Sequence, residues 1–355
     1  MIPYWILFVI WMLGAIHFSR RQSRPYDSLF YSLAVLATTL MIGLRYEVGG
    51  DWVNYLEFYD AVLFQPLSYA LTQTDPAYGL LNWASARLNF GLWFVDLGCA
   101  IFFMIGVARL SSRQPNPWLS NLIAVPYLVI VVGMGFTRQA AAIGILCWAL
   151  ADIRRDRILF PILLVGLAAL FHKTAILFLP ILLVPVFSSN FVLTIPGIIG
   201  FVFLFNLFLG SSSDHLITTY ATGNYDSQGA GIRVAMNVLA AIAFVAFRDK
   251  MGFDKFSRSL WMTLTVLAFF SVVALFVLPS SSGIDRISMF IIPLQIVVLS
   301  RLPYALSVNS RPVPSVLLGV ILYSASVQFV WLNFADNGWA WKPYQSIITS
   351  DQTIG

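Results

Sequence analysis

The segment TAILFLPILLVPVFSSNFVLTIPGIIGFVFLFNLFLGSSS, residues 174–213, contains no charged side chain. At about 1.5 Å per residue in a helix, it is long enough to cross a hydrocarbon core of about 30 Å twice. We therefore predict two transmembrane helices here, with a turn at Ser188, Ser189 and Asn190. The apolar run is continuous, which favours helices over a membrane barrel, whose strands alternate apolar and polar residues.

The whole chain has the same membrane character. Of its 355 residues, 59% are hydrophobic and only 10% are charged, whereas a soluble protein of this size needs far more charge. We predict an all-α, polytopic integral membrane protein, a single membrane domain with about 12 transmembrane helices. The net charge of +5 does not indicate nucleic-acid binding, because Lys and Arg in membrane proteins mainly mark cytoplasmic loops. The predicted spans are 2–18, 28–44, 92–110, 118–136, 137–152, 158–172, 174–188, 191–209, 233–247, 259–278, 286–300 and 313–332.

The charged residues predict the orientation of the chain. With the N-terminus outside, 14 of the 21 basic residues fall on the inner side, clustered in short loops, and 7 fall outside. This asymmetry follows the positive-inside rule and predicts that both termini are extracytoplasmic. No positive charge precedes the first apolar run, so we expect a retained span rather than a cleaved signal peptide. The long outer segments are then 45–91, with interfacial helices around Trp52–Phe64 and Ala77–Phe90, 210–232, and the tail 333–355.

Several simpler kinds of site lack support in the sequence. Cys99 and Cys147 lie in apolar stretches, so we expect neither a disulfide framework nor a metal site. The sequence has no P-loop, HExxH or GxSxG motif, which are typical of soluble enzymes. In the tail, we interpret Trp339 and Trp341 as anchors at the membrane interface rather than as platforms for sugar.

Four isolated arginines at the outer ends of predicted spans are candidate anion ligands: Arg45, Arg138, Arg233 and Arg286. The last three each open a short span that runs inward, where free N–H groups and the helix dipole favour anions. A charge near the membrane is costly unless it is paired or hydrated, so we predict that they converge on a phosphate or diphosphate. Alternatively, each contacts lipid headgroups on its own.

Candidate general bases lie in two outer segments. Gly43–Tyr55 contains Glu47 and Asp51 beside a glycine pair, and Phe171–Ala175 contains His172. A carboxylate or an imidazole can accept a hydroxyl proton. Alternatively, the carboxylates form ion pairs that fix the loop, Asp285 pairs with the adjacent Arg286, and the histidine faces lipid headgroups. Further candidate substrate contacts are Tyr46, Tyr55, Gln139, Lys173, Tyr220, Tyr225 and Asp285.

Three motifs, in this order, resemble the EpsG family, a branch of the Wzy-type polymerases of bacterial exopolysaccharide and capsule. They are the segment Gly43–Tyr55, Arg138-Gln139 opening a span, and Phe171–Ala175. The resemblance covers most of the chain, although many relatives have a small hydroxyl residue where Lys173 stands. It implies that oligosaccharide repeat units on a polyprenyl (undecaprenyl) diphosphate are joined at the outer leaflet of the bacterial cytoplasmic membrane. The growing glycan would leave its lipid diphosphate for a hydroxyl of the next unit.

The resemblance also implies the partners. We expect a lipid-linked oligosaccharide and the bilayer, with a flippase and a chain-length regulator of the same pathway, and no nucleic acid. No metal or other cofactor is needed if arginines stabilise the leaving diphosphate. The alternatives are a glycan ligase with the same donor, an acyltransferase that uses His172, and a transporter or flippase for the lipid-linked sugar. A transporter favours charged or broken helices at mid-membrane and internal repeats, and the sequence shows no repeat.

Overall fold

The computed structural model describes residues 1–18, 25–154, 156–187, 195, 199–203, 227–278, 281–307 and 311–350. Within these residues the chain is helical and has no strand, which confirms the all-α prediction for the described part. The predicted turn at 188–190, most of the predicted span 191–209, and the candidates Tyr220 and Tyr225 lie outside the described residues.

The first half of the chain begins with two helices, continues through a loop, residues 45–91, that carries three short helices, and ends in a packed helical core. This loop is called the outer loop after its predicted side of the membrane. In order, the helices are α1 (Ile2–His17), α2 (Pro25–Gly43), α3 (Trp52–Val62), α4 (Leu67–Gln73), α5 (Pro76–Leu88), α6 (Leu92–Ser112), α7 (Pro117–Ala124), which continues as a π-helix over Val125–Gly133, and α8 (Thr137–Asp152).

The second half supplies the remaining helices. They are α9 (Leu159–Phe171), α10 (Leu179–Phe187) after a 3₁₀ segment Lys173–Phe178, α11 (Ala230–Phe247), α12 (Lys255–Val277), α13 (Ser281–Ser288), α14 (Ile292–Ala305) and α15 (Pro314–Phe334). A 3₁₀ turn over Met289–Ile291 joins α13 to α14.

The lengths of these helices test the predicted spans. Among the described residues, five helical stretches are long and apolar enough to cross a membrane: Leu92–Ser112, Ala230–Lys250, Lys255–Val277, Ser281–Ala305 and Pro314–Phe334. Shorter apolar helices coincide with predicted spans at 2–17, 28–43, 117–133, 159–171 and 173–186. The chain is therefore an α-helical membrane protein, and the predicted total number of spans is not confirmed.

The closest helix packing in the core brings α6 against α8. A Cβ atom built on Gly106 would lie 1.6 Å from the carbonyl oxygen of Gly144, and one built on Gly144 would lie 2.3 Å from the Cα atom of Phe103. Small residues allow this approach, as they do between helices in membranes generally. The contact holds the middle of α8 against α6.

The outer loop and the tail form one packed layer. Helices α3 and α5 lie at the positions predicted for the two helices of this loop, and α4 lies between them. The backbone N–H of Ile347 donates to the carbonyl of Leu44 at 2.9 Å, and an antiparallel bridge joins Arg45 to Ser346. The tail therefore runs back along the first motif.

One tail prediction is wrong. Trp341 is only 3% exposed, and its indole Nε1 donates to the carbonyl of Ile130 at 2.8 Å. The Tyr4 hydroxyl in turn donates to the Trp341 carbonyl at 2.7 Å. Trp341 is a core residue and not an interface anchor, because the π-helix and α1 both pack against it. Trp339, in contrast, is 72% exposed.

Candidate functional site

Arg138 is the centre of the cluster that the outer loop builds over the core. Helix α8 begins at Thr137, so Arg138 lies in its first turn, as predicted. Nη1 of Arg138 donates to the Thr74 hydroxyl at 2.8 Å and to Oδ2 of Asp75 at 3.0 Å. The guanidinium also lies over the rings of Phe58 and Tyr78, with centroid distances of 5.1 and 5.8 Å.

Arg138 keeps unused hydrogen-bonding capacity. Its Nε is buried and has no hydrogen-bond partner among the described residues, although the side chain as a whole is 27% exposed. Buried polar atoms are nearly always hydrogen-bonded in folded proteins. An anion at this position would satisfy the donor.

Asp75 joins the second and third motifs, and the sequence analysis did not identify it. Its Oδ1 accepts from the Lys173 backbone N–H at 3.1 Å, and its Oδ2 lies 3.8 Å from Nδ1 of His172. Burial works against ionisation of Asp75, but His172, Arg138 and the Lys173 N–H outweigh it and lower the pKa of the carboxyl. Asp75 is therefore a buried anion that holds Arg138 and the loop after α9 in place.

His172 follows the last residue of α9. Its Nδ1 is buried and has no hydrogen-bond partner among the described residues, because Asp75 is beyond hydrogen-bonding distance. The imidazole lies nearly parallel to the ring of Phe290, with a centroid distance of 6.4 Å. The imidazole thus lies between the Asp75 carboxylate and Phe290, with one ring nitrogen unsatisfied.

Asp51 and Arg286 complete the cluster. Burial raises the pKa of Asp51, while the positive charges of Arg286 and Arg138 and a hydrogen bond with Asn54 act in the opposite direction. Both arginines are thus close enough to act on one carboxyl. Gln139, beside Arg138 on α8, donates through Nε2 to the Arg286 carbonyl at 2.8 Å. Gln139 thus ties Arg286 to the start of α8, and the charges of Arg138 and Arg286 both act on Asp51.

A family model described as EpsG family matches residues 28–346, which include every residue of the cluster. The chain belongs to the EpsG family. This is the Wzy-type polymerase family that the three motifs resemble. No curated protein and no solved structure matches the chain.

A second arginine of this EpsG-family chain lies in a closed ion pair. Arg233 lies in the first turn of α11 and pairs with both carboxylate oxygens of Asp285, and its Nη2 donates to the Ser227 hydroxyl at 2.7 Å. The ring of Tyr127 lies 5.8 Å from the guanidinium carbon. Arg233 is 15% exposed and Asp285 is 8% exposed, so the pair is largely buried.

Helix α13 corrects two predictions about its residues. The predicted span began at Arg286, but the helix begins at Ser281, so Arg286 lies within it and is exposed. Asp285 lies on this helix rather than in a loop, and its partner is Arg233 rather than the adjacent Arg286. Because Asp285 and Arg286 are consecutive, α13 links the Arg233 pair to the cluster around Arg138.

Arg45 has a different place from the one expected for a ligand of a cleft. It is 1% exposed, and Nε and Nη1 donate to the carbonyls of Val48 and Ile42 at 3.1 and 2.8 Å. Its Nη2 donates to Asp96 at 2.9 Å and to the Thr137 hydroxyl at 2.7 Å. We therefore correct its role: Arg45 is a buried support that ties the outer loop to α6 and to the start of α8.

The first motif bends at Gly49, where the packing leaves no room for a side chain. Gly49 has a φ of +113°, and a Cβ atom there would lie 2.3 Å from the Met134 carbonyl oxygen. Glu47 is exposed and has a φ of 51°. The bend places Glu47 outside the packed layer, and the structure gives it no hydrogen bond or ion pair to the cluster among the described residues.

The other candidate contacts have packing partners. Tyr46 lies edge-on to Trp52, with ring centroids 5.7 Å apart. Tyr55 is buried against Tyr78, with ring centroids 5.7 Å apart, and interacts with Arg138. Within the described residues, no group of three or more His, Cys, Asp or Glu side chains is arranged to hold a metal ion.

Proposed function

We propose that this protein is a polymerase that joins oligosaccharide repeat units carried on a polyprenyl diphosphate. The observation that carries the proposal is the cluster of Asp51, Arg138 and His172, three residues distant in sequence and drawn from the three family motifs. Asp75 and Arg286 complete the cluster. The reaction needs a site for a diphosphate, a base for a hydroxyl and room for sugar.

Arg138 and Arg286 are the proposed ligands of the diphosphate. Both are cations at the start of a membrane helix or close to it, and Arg138 has a buried Nε that an anion would satisfy. Guanidinium groups bind phosphate oxygens in a bidentate fashion. Preorganised donors of this kind stabilise the charge that develops on a leaving group, so we propose that no metal is required.

Asp51 and His172 are the proposed bases, with Glu47 as the less favoured candidate. The acceptor hydroxyl oxygen forms a bond to the anomeric carbon, the bond from that carbon to the diphosphate oxygen breaks, and the base takes the hydroxyl proton. The lipid diphosphate leaves with the electron pair. Asp75 positions His172 and Arg138 relative to each other, and in this proposal it does not contact the substrate.

A groove beside Arg233 supports a lipid-linked substrate. This cavity of about 460 Å³ lies between α11 and α15 and is lined mainly by apolar side chains. Ile232 and Phe334 at its edges are 60% and 68% exposed, so the groove opens to the surroundings of the helices. We propose that it takes part of the polyprenyl chain, with Arg233 at its polar end.

The membrane, the leaflet and the partner proteins are also part of the proposal. The charge distribution supports a cluster that faces the outer leaflet of a bacterial cytoplasmic membrane, with both termini on that side. A flippase would deliver the lipid-linked units to this leaflet, and a chain-length regulator would act on the growing glycan.

The deciding experiment uses the purified protein in nanodiscs with a lipid-linked repeat unit as the only substrate. A ladder of lengthening glycans, separated by electrophoresis, is the expected product. The Arg138→Ala variant is expected to abolish the ladder, whereas Arg87→Ala, at an exposed arginine of the same outer loop, preserves it. A single transfer to an added acceptor without lengthening identifies a ligase instead, and no turnover of the lipid-linked unit refutes both activities.

A further inference from the structure

A polar cavity of about 140 Å³ lies at the opposite end of α8 from Arg138. The ends of α6, α8 and α14 and the start of α12 surround it, which is the face that the positive-inside rule assigns to the cytoplasm. Its polar lining residues include Arg113, Gln114, Arg154, Ser257 and Arg301. None of these residues belongs to the candidate site described above.

Arg301 is a partly buried cation held only by neutral groups. Its Nε donates to Oε1 of Gln114 at 2.7 Å, and its Nη1 donates to the Met251 carbonyl at 2.8 Å. The ring of Phe253 lies 4.2 Å from the guanidinium carbon. Within the described residues no carboxylate lies within 4.0 Å of Arg301. A partly buried guanidinium without a counter-charge is unfavourable, so an anion bound in the cavity would be stabilised by Arg301.

Arg113 and Arg154 add further positive charge to the cavity. Asp152 accepts an ion pair from Arg113 at 2.7 Å, but it also pairs with Arg109 at 3.0 Å, so one carboxylate serves two cations. Arg154 is exposed at the rim, and its side chain has no hydrogen-bond or ion-pair partner among the described residues. The lining of the cavity therefore carries a net positive charge.

We infer that this cavity binds a phosphate group, from the headgroup of an anionic phospholipid or from free phosphate. Guanidinium groups match phosphate oxygens in geometry and charge, and three of them line the cavity. A volume of about 140 Å³ corresponds to a few water molecules at about 30 Å³ each, which suits a phosphate group.

A phosphate bound here would bridge four helix ends. Arg113 follows α6, Arg154 follows α8, Ser257 lies in the first turn of α12, and Arg301 belongs to α14. Because α8 carries Arg138 at its other end, binding would stabilise the helix on which the candidate site is built. A ligand that binds only the folded chain raises its unfolding temperature in a saturable way.

The test measures the unfolding temperature of the purified full chain in a neutral detergent, through its tryptophan fluorescence. The probes are dioctanoyl phosphatidylglycerol, inorganic phosphate at constant ionic strength, and dioctanoylglycerol, which has the same acyl chains and no phosphate. We expect a saturable rise with at least one phosphate-bearing probe and none with dioctanoylglycerol. A rise with phosphatidylglycerol alone identifies the lipid headgroup, and an equal rise with inorganic phosphate identifies the free anion.

Two matched variants locate the binding. Arg154→Gln removes a charge at the rim of the cavity, and Arg157→Gln removes the same charge from the same loop at a residue outside the lining. We expect Arg154→Gln to raise the half-saturating concentration about tenfold, the effect of losing one charge-assisted contact, and Arg157→Gln to change it less than about twofold. Because neither side chain supports a helix contact, both proteins are expected to fold.

Arg301→Lys gives a second reading, since it keeps the positive charge and removes the planar fork. It is expected to weaken binding in the same way as Arg154→Gln; if it fails to fold, the Arg154 and Arg157 pair decides alone. Three results overturn the inference: no phosphate-bearing probe shifts the unfolding temperature, dioctanoylglycerol shifts it equally, or Arg154→Gln and Arg157→Gln weaken binding to the same extent.

Discussion

Asp75 and Arg138 form an ion pair of 3.0 Å across 63 residues of sequence. The pair joins the start of α5 in the outer loop to the first turn of α8 in the core. Asp75 is 6% exposed, whereas Arg138 is 27% exposed, so the carboxylate is the buried partner of the pair and the guanidinium is the more accessible one. The ion pair therefore orients Arg138, a proposed ligand of the diphosphate, before any substrate binds.

Removing the charge of Asp75 is therefore expected to impair polymer formation without removing a proposed ligand. Asp75→Asn keeps the shape of the side chain but loses the ion pair with Arg138 and weakens the acceptor for the Lys173 N–H. We expect the rate of polymer growth to fall about 100-fold, because misplaced catalytic groups cost rate steeply. Asp60→Asn, at an exposed carboxylate of α3, is the control and keeps a rate near that of the wild type. Equal activity of the two variants would contradict the role of Asp75.

Exchanging Arg138 for lysine tests the proposed binding mode. Lysine keeps the charge but not the planar fork, so it cannot bind two phosphate oxygens in the same geometry. We expect a large loss of lipid-linked donor binding, measured with purified protein in nanodiscs, and little loss for Arg87→Lys, which is exposed on α5. Arg301→Lys is a weaker control, because Arg301 bonds Gln114 and Met251. If Arg138→Lys binds donor normally, the bidentate mode is excluded.

The sequence predicted the parts of this fold that depend on local patterns. Apolar runs gave the positions of most described helices, and the charge at the start of an apolar run placed Arg138 in the first turn of α8. The three motifs predicted Asp51, Arg138 and His172 as site residues, and in the structure Arg138 and His172 both lie beside Asp75. Each of these patterns is formed by residues that are close together in the chain, so it can be recognised in one sequence without an alignment.

Long-range partners were not predictable in the same way. Thr74-Asp75-Pro76 has the pattern of an ordinary helix start, with proline in the first turn, yet the Asp75 side chain makes no capping hydrogen bond. The local sequence of Arg45 predicts a cleft ligand, because its partner Asp96 lies 51 residues away and cannot be recognised from the neighbouring residues. The same applies to Trp341, whose hydrogen bond to the Ile130 carbonyl spans 211 residues. Each error came from a partner that the local sequence does not indicate.

The buried pair of Arg45 and Asp96 is expected to support stability rather than chemistry. Asp96→Ala leaves a guanidinium buried without a counter-charge, which costs about 3–5 kcal/mol in comparable sites. We expect a lower unfolding temperature and less protein in the membrane, whereas Glu57→Ala on the exposed face of α3 changes neither. Replacing both partners by apolar residues is expected to recover part of the loss. A stable Asp96→Ala protein that lacks activity would instead give Asp96 a direct part in the reaction.

The proposed orientation can be tested with two exposed aspartates. Cysteines at positions 60 and 156, in the outer loop and in the turn after α8, lie on opposite faces in the predicted topology. A membrane-impermeant maleimide applied to intact cells is expected to label position 60 and to leave position 156 unlabelled. The native Cys99 and Cys147 are buried and give little background. The reverse pattern would place the candidate site on the cytoplasmic side and refute its contact with the outer leaflet.

Asp51 gives a prediction about pH. Burial raises the pKa of this carboxyl above its ordinary value of 3.8, although Arg286 and Arg138 oppose the rise. A base must be ionised, so the rate is expected to fall as the pH drops through this raised pKa. The measurement is the rate of polymer growth at subsaturating donor across the range from about pH 4 to pH 8. Asp75 cannot cause this fall above pH 4, because its pKa is lowered.

Arg286→Gln identifies the residue that titrates. Removing this cation takes away an interaction that lowers the pKa of Asp51, so the fall in rate is expected to begin at a higher pH than in the wild type. Arg87→Gln, a cation of the same loop that does not act on Asp51, is expected to leave the profile unchanged. Asp51→Asn is expected to lower the rate by about 100-fold or more and to remove this dependence, as the loss of a positioned base does. If Asp51→Asn keeps both the rate and the profile, the base is His172 or Glu47, and His172→Gln then separates those two.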